Sequence, residues 1–280
     1  TEVKDTIRDV NRITEDIASL NERILSIKAN PTDVAGNLDD ERDRLIDELS
    51  SLIDARVREE TDGTLTVSGA AGAGVLLVDA ALSVPLVIRP VVRGDASVSD
   101  ITLAATGLNL LVTKGKLSGL IDVRDNAILS YKESLDELAV HFVGQVNTVH
   151  GTGFGLDDSS GNFFFEPTLV NAREIRLSTE VAGDLNKIAT SGPNATNPNI
   201  SAGARDGSVA QAIADLQHAR TLGGGTQTIE EHYSQFIGQI GAEAGEVIAD
   251  LNAQTLVMEQ VSNRRENVRG VSINEEASDL

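Results

Sequence analysis

The sequence predicts an α+β protein: an elongated bundle of long helices that carries a small inserted β-rich domain. Apolar residues near both ends and in the middle of the 280-residue chain recur at steps of three and four, as helices with an apolar seam require. From about Val57 to Thr113 the pattern changes to short runs of Val, Leu, Ile and Thr separated by Gly, Asp or Pro, which reads as strands and turns. Two Tyr, six Phe and no Trp stand among 40% apolar residues, so the core is built from Leu, Ile, Val and Ala, as suits helix bundles. The expected division is a discontinuous helical rod domain, residues 1–56 and 114–280, and an inserted β-rich outer domain, residues 57–113.

Taken in order, Val10, Ile13, Ile17, Leu20, Ile24 and Ile27 alternate steps of three and four along a first helix. Asn30, Pro31, Thr32, Asp33 and Gly36 interrupt it, and a second helix follows from Leu38 to Ile53 with Leu45, Ile46, Leu49, Leu52 and Ile53 on one face. Five strands are expected in TLTVSG, GVLLVDA, SVPLVIRPVVR, SVSDITLA and LNLLVTK. Ile121, Ile128, Leu135, Phe142 and Val149 recur every seven residues, with Tyr131 and Leu138 between them, which predicts a helix of about 30 residues. Gly151 to Gly161 ends it. A strand from Arg173 to Ser178, a turn-rich and mobile stretch from Ser191 to Asn199, and a short helix from Ser208 to Ala219 follow, before Gly223, Gly224 and Gly225 reverse the chain. Thr228 to about Arg269 reads as one helix with two seven-residue series, interrupted by Gln254 and Arg265. The missing initial Met and the ending INEEASDL, which reads as continuing helix, predict a trimmed chain.

The chemistry expected from the residues is sparse. A formal charge of −20 without a basic cluster disfavours nucleic acid and anionic lipid, and no apolar run is long enough to span a membrane. The absence of cysteine removes thiol catalysis, disulfides and Cys-based zinc sites. His141, His150, His218 and His232 are scattered without metal-binding spacing. Asp157 to Asn162 are oxygen-rich but lack the calcium-loop pattern, so a solvated turn is expected there. The glycines of His150 to Gly155 follow a helix rather than a strand, which reads as chain flexibility rather than a phosphate cradle. Phe163, Phe164 and Phe165 read first as an anchor pinning their loop to the helices and second as a partner-binding patch. Asn194 and Asn199 fit the glycosylation pattern, but a polar loop is the plainer reading. No catalytic, cofactor-binding or metal residue is expected, and the chain is read as a structural protein rather than an enzyme.

Three stretches carry a family resemblance. ITEDIASLNERI with NLDDERDRLIDELSSLI, through Asn37, Leu38, Asp39, Arg42, Asp43 and Leu45, resembles the helical entry of the flagellar hook-associated protein 1 family. GKLSGLIDVRD at Gly115 to Asp125 resembles the start of that family's central helix, and Phe142, Asn147, His150, Gly153 and Phe154 resemble its end. Gly270, Val271, Glu275, Glu276 and Leu280 resemble the turn that precedes the family's terminal segment. The resemblance covers nearly all the helical parts and none of the β-rich insert.

The resemblance implies an adaptor at the hook–filament junction of the bacterial flagellum, exported by the flagellar type III secretion apparatus with a chaperone and assembled outside the cell. The implied partners are copies of itself in a ring or helical layer and the neighbouring hook, junction and filament proteins. Without the family's terminal segments, a soluble monomer is expected. The alternatives are another axial protein (second junction protein, flagellin, or hook or rod subunit), an adhesin or binding module displaying residues 57–113, and, least, a peptidoglycan-acting enzyme.

Overall fold

The computed structural model describes residues 2–28, 36–69, 75–93, 96–168 and 171–269. Its contacts group into two compact units, Thr1–Glu133 and Ser134–Leu280. The strands share one core with the first two helices and lie with them in the first unit.

In that unit, α1 (Glu2–Lys28) buries Ile7, Val10, Ile13, Ile17, Leu20 and Ile24, the predicted stripe extended by one turn toward the N-terminus. α2 (Gly36–Leu52) adds Leu45 and Leu49, and Ile53 closes the core just beyond it. The expected break at Asn30 to Asp33 lies outside the described residues. A four-stranded antiparallel meander follows: β1 (Ala55–Glu59), β2 (Leu65–Gly69), β3 (Leu76–Asp79) and β4 (Leu82–Ser83), with Val67, Leu77 and Val78 turned into the helical core. β5 (Leu86–Arg93) and β6 (Ala96–Leu103) form a separate two-stranded ribbon. LNLLVTK, expected as a strand, makes isolated bridges at Asn109 and Leu111 instead of a full strand, while the unexpected strand β1 pairs with β2 from Ala55.

Two side chains of α1 attach the sheets. Asn21, fully buried, donates to the carbonyls of Leu65 (2.8 Å) and Ala80 (2.7 Å) and accepts from the Leu65 amide (3.0 Å). Asn11 does the same to Leu86, donating at 2.9 Å and accepting at 2.8 Å. A helix-borne amide thereby completes the hydrogen bonding of a strand residue, as a neighbouring strand would. Arg42, buried, donates to the Gly63 carbonyl at 2.8 Å and so ties α2 to the β1–β2 turn.

α3 (Gly115–Asp122) passes through a π-helical turn, Val123–Ala127, into α4 (Ile128–Gly151). The extra residue of a π-turn shifts the helical phase, so the predicted series does not form one seam. Ile121 packs on the core of the first unit, whereas Ile128, Leu135 and Phe142 are exposed. The buried stripe of α4 is Ala139, Val143, Val146, Asn147 and His150, at the ordinary helical period.

Between α4 and the long α7 (Ile229–Arg269) the second unit is mostly loop, with short helices α5 (Thr179–Gly183) and α6 (Ser208–Asp215). The strand expected at Arg173 to Ser178 is instead a 3-10 turn, Ala172–Glu174, and a single bridge from Leu177 to Phe165. Gly223, Gly224 and Gly225 all adopt positive φ in the reversing turn. α7 opens on a capping box: the Glu231 amide donates to the Thr228 hydroxyl (3.1 Å) and the Thr228 amide to the Glu231 carboxylate (2.9 Å). Gly270 to Leu280, which carry part of the family resemblance, lie outside the described residues.

Candidate functional site: an apolar cleft and an exposed helical seam

α4 organises the site through Asn147 and His150, one turn apart on its buried face. Asn147 donates to the Phe165 carbonyl (2.9 Å) and accepts from the Phe165 amide (2.8 Å), the same pin that Asn11 and Asn21 supply in the first unit. His150 is wholly buried between two loops. The Ala189 amide donates to its Nε2 (2.8 Å), so Nδ1 carries the proton and donates to the Asn162 carbonyl (2.8 Å).

The Phe164 ring stands edge-on to His150 at 5.3 Å and to Phe165 at 4.8 Å, and Phe165 lies 5.8 Å from Phe142. Phe164 and Phe165 are therefore anchors, as first expected, while the Phe163 ring is exposed. The glycines of His150 to Gly155 correct the flexibility reading. A Cβ at Gly153 would lie 2.9 Å from Ala189 Cβ, and one at Gly155 2.3 Å from the Asn186 carbonyl oxygen, so both glycines permit close packing of the loops around His150.

Beside this hub lies a cleft of about 520 Å³. Leu138, Phe142 and Val146 of α4 form one wall, Phe164 and Phe165 the floor, and Ile213, Leu216, Ile229 and Tyr233 the other wall. Its polar lining is Gln217 and Glu230. Such a lining offers apolar complementarity and no acid–base pair. Ile213 and Leu216 belong to the apolar face predicted for the short helix; no pattern in the sequence showed that this face meets Tyr233.

α7 leaves the cleft as a long helix whose half-buried face is His232, Phe236, Ile240 and Glu243. Further along, Val247, Leu251, Met258 and Val261 are 43–67% exposed, and Gln254 continues the same alternation of steps. This register is the one that seam residues of a coiled coil occupy, and Ile248, Leu256 and Val257 are exposed beside it. The side chain of Arg265, the second expected interruption, lies outside the described residues.

The oxygen-rich residues are local ties. Asp157 accepts from the Ser159 hydroxyl (2.6 Å), the Ser159 amide (3.0 Å) and Lys187 (3.2 Å), which hold its carboxyl down at about 2. Asp206 is lowered by the Gly192 amide first and the Ser208 hydroxyl second. Asn194 accepts from the Thr196 amide and hydroxyl in a polar turn. Among the described residues no group of three or more His, Cys, Asp or Glu is placed to hold a metal ion, and no helix is long and apolar enough to cross a membrane.

The two lowered carboxyls set a pH dependence. A depressed folded-state pKa gives stability that is present above the unfolded value and lost as pH falls through the folded one. For Asp157 that window runs from the ordinary carboxylate value, about 3.9, down to about 2. Carboxyl NMR titration is expected to show Asp157 titrating at about 2, with Ser159 amide protection falling in step. Amide protection that is lost above pH 4 would contradict this.

A family model described as "Flagellar hook-associated protein FlgK helical domain" matches residues 1–165. The chain belongs to this family. The match includes Asp39, Arg42, Arg124, Asp125, Asn147, His150, Gly153 and Phe154, and the structure gives several of these a scaffolding task. Arg42 and Asn147 tie helices to turns, His150 joins two loops, Gly153 allows their approach, and Arg124 pairs with Asp125 (2.8 Å) while donating to the Ser99 carbonyl (2.8 Å).

Among relatives, the flagellar hook-associated protein 1 of Salmonella typhimurium and that of Salmonella typhi are each 25% identical over 130 residues, 46% of this chain and 22% of theirs. The match therefore spans about a fifth of the length of these curated relatives. The structure of the flagellar hook junction protein FlgK from Burkholderia pseudomallei superposes with a TM-score of 0.78 over 97% of this chain and 84% of that one. At 16% identity this likeness shows that the hook-associated family fold is shared, and it agrees with the α+β class.

Proposed function

We propose that the chain is a structural subunit of the bacterial flagellum, an adaptor at the hook–filament junction that assembles into a ring or helical layer by packing of its helices. The observation that carries this reading is the seam of α7, where Val247, Leu251, Met258 and Val261 stand exposed in coiled-coil register in a chain of the hook-associated family. A heterologous contact repeated from copy to copy generates rings or helical layers, and an apolar seam supplies the packing surface for it. In this reading the protein is exported by the flagellar type III secretion apparatus with a chaperone and works outside the cell among copies of itself and hook, junction and filament proteins. Its action lies in surfaces and calls for no catalysis, cofactor or metal.

The test is genetic. In cells of the source organism lacking their hook–filament junction protein, the full-length protein containing this chain is expected to restore filament growth. The same protein with Leu251→Glu and Met258→Glu is expected to be exported but to restore little. Because both side chains are exposed, those changes should leave the circular dichroism of the chain unchanged. Normal export of the unaltered protein without filament growth would sink the junction role. Full rescue by the seam variant would sink the part given to α7.

A further inference from the structure

The β5–β6 ribbon has only two strands, so each strand has an outer edge of N–H and C=O groups facing away from its partner, and such an edge invites another strand. The outward positions can be identified. Leu86 exchanges both of its hydrogen bonds with Asn11, the Ile101 carbonyl accepts from the Leu110 amide (2.8 Å), and the Ser99 carbonyl accepts from Arg124 (2.8 Å). Through the register Leu86↔Leu103, Ile88↔Ile101, Pro90↔Ser99, the outward residues of β5 are Leu86, Ile88, Pro90 and Val92.

On β6, the outward positions 99, 101 and 103 are occupied by Arg124, Leu110 and Leu108, the last accepting from the Leu103 amide at 2.9 Å. On β5 the base is occupied by Asn11. Ile88 and Val92 remain open among the described residues, and between them stands Pro90, which has no N–H to donate and points its ring at any incoming backbone. Because position 90 faces outward, proline costs the ribbon no internal hydrogen bond. The other sheet is guarded by different means: β1 exposes Arg56, Arg58 and Glu59, and β4 has two residues.

We propose that Pro90 closes the outer edge of β5 to strand addition by a second copy of this chain, so that copies do not associate through their sheets. This does not rest on the junction reading, since it holds or fails on the isolated chain. The test is sedimentation velocity over a range of concentrations for the parent and for Pro90→Thr, which restores the donor. Two antiparallel copies would gain a hydrogen bond from each restored amide, so self-association is expected to tighten about tenfold or more. Hydrogen exchange should show new, concentration-dependent protection at residues 88–92. A Pro90→Thr chain with parental circular dichroism and unchanged association overturns the proposal, as does association whose protection falls elsewhere. Pro90→Ala, which restores the same donor with a smaller side chain, is measured alongside, and if only it folds its result decides.

Discussion

Asn21→Ala is expected to destabilise the first unit by about 3–5 kcal/mol, because it orphans two buried backbone groups and a part-buried third at about 1–3 kcal/mol each, offset in part by local relaxation. Those groups are the amide and carbonyl of Leu65 and the carbonyl of Ala80, all bonded to one fully buried side chain. Asn21→Asp is the sharper variant. It keeps the acceptor for the Leu65 amide but turns a carboxylate oxygen toward two carbonyls, so it is expected to be at least as damaging as alanine despite its matching shape. Urea unfolding measures both, with the midpoint falling and the slope unchanged. A loss below about 1 kcal/mol for Asn21→Ala would show that the strands are held by core packing alone.

In the second unit the corresponding expectation is a loss of about 3–5 kcal/mol for His150→Ala, from two orphaned backbone groups and the cavity left by a buried ring. His150→Leu separates the contributions, since leucine refills most of the volume and the edge contact with Phe164 but supplies neither hydrogen bond. If the polar role dominates, leucine recovers less than half of the loss. Recovery of nearly all of it would make His150 a packing residue. Hydrogen exchange at the Ala189 amide reads the same point locally, and it should be fast in both variants.

These expectations mark where sequence reading reaches its limit. The stripe of α1 was legible because each apolar position meets a single core, and α7 was legible because its alternation persists beyond any partner the described residues provide. The series from Ile121 to Val149 announced a helix correctly, but five residues with π geometry, Val123 to Ala127, move its phase between Ile121 and Ile128, so it is not the buried face, and nothing in VRDNA announces this. The run Arg173 to Ser178 alternates like a strand yet finds only one bridging partner, at Phe165. The asparagine pins were invisible for another reason: a polar residue on a helix reads as a solvent-facing position, and only the tertiary fold shows a strand edge opposite it. Of the candidate site, the Phe anchors and the α6 face were visible as separate features. Their convergence on Tyr233 depends on a reversal through three glycines whose direction no local pattern specifies.

The pins of α1 also imply an order of events in folding. A helical turn forms within about a microsecond, using neighbours in sequence alone. Asn21 instead closes a loop to a residue 44 positions away and Asn11 one to a residue 75 positions away, and closure of long loops is entropically uphill until the contacts they bring are made. The loop lengths thus predict that α1 takes shape before the strands dock on it, so substitutions at Asn11 and Asn21, ten residues apart along the helix, are expected to speed unfolding more than they slow folding.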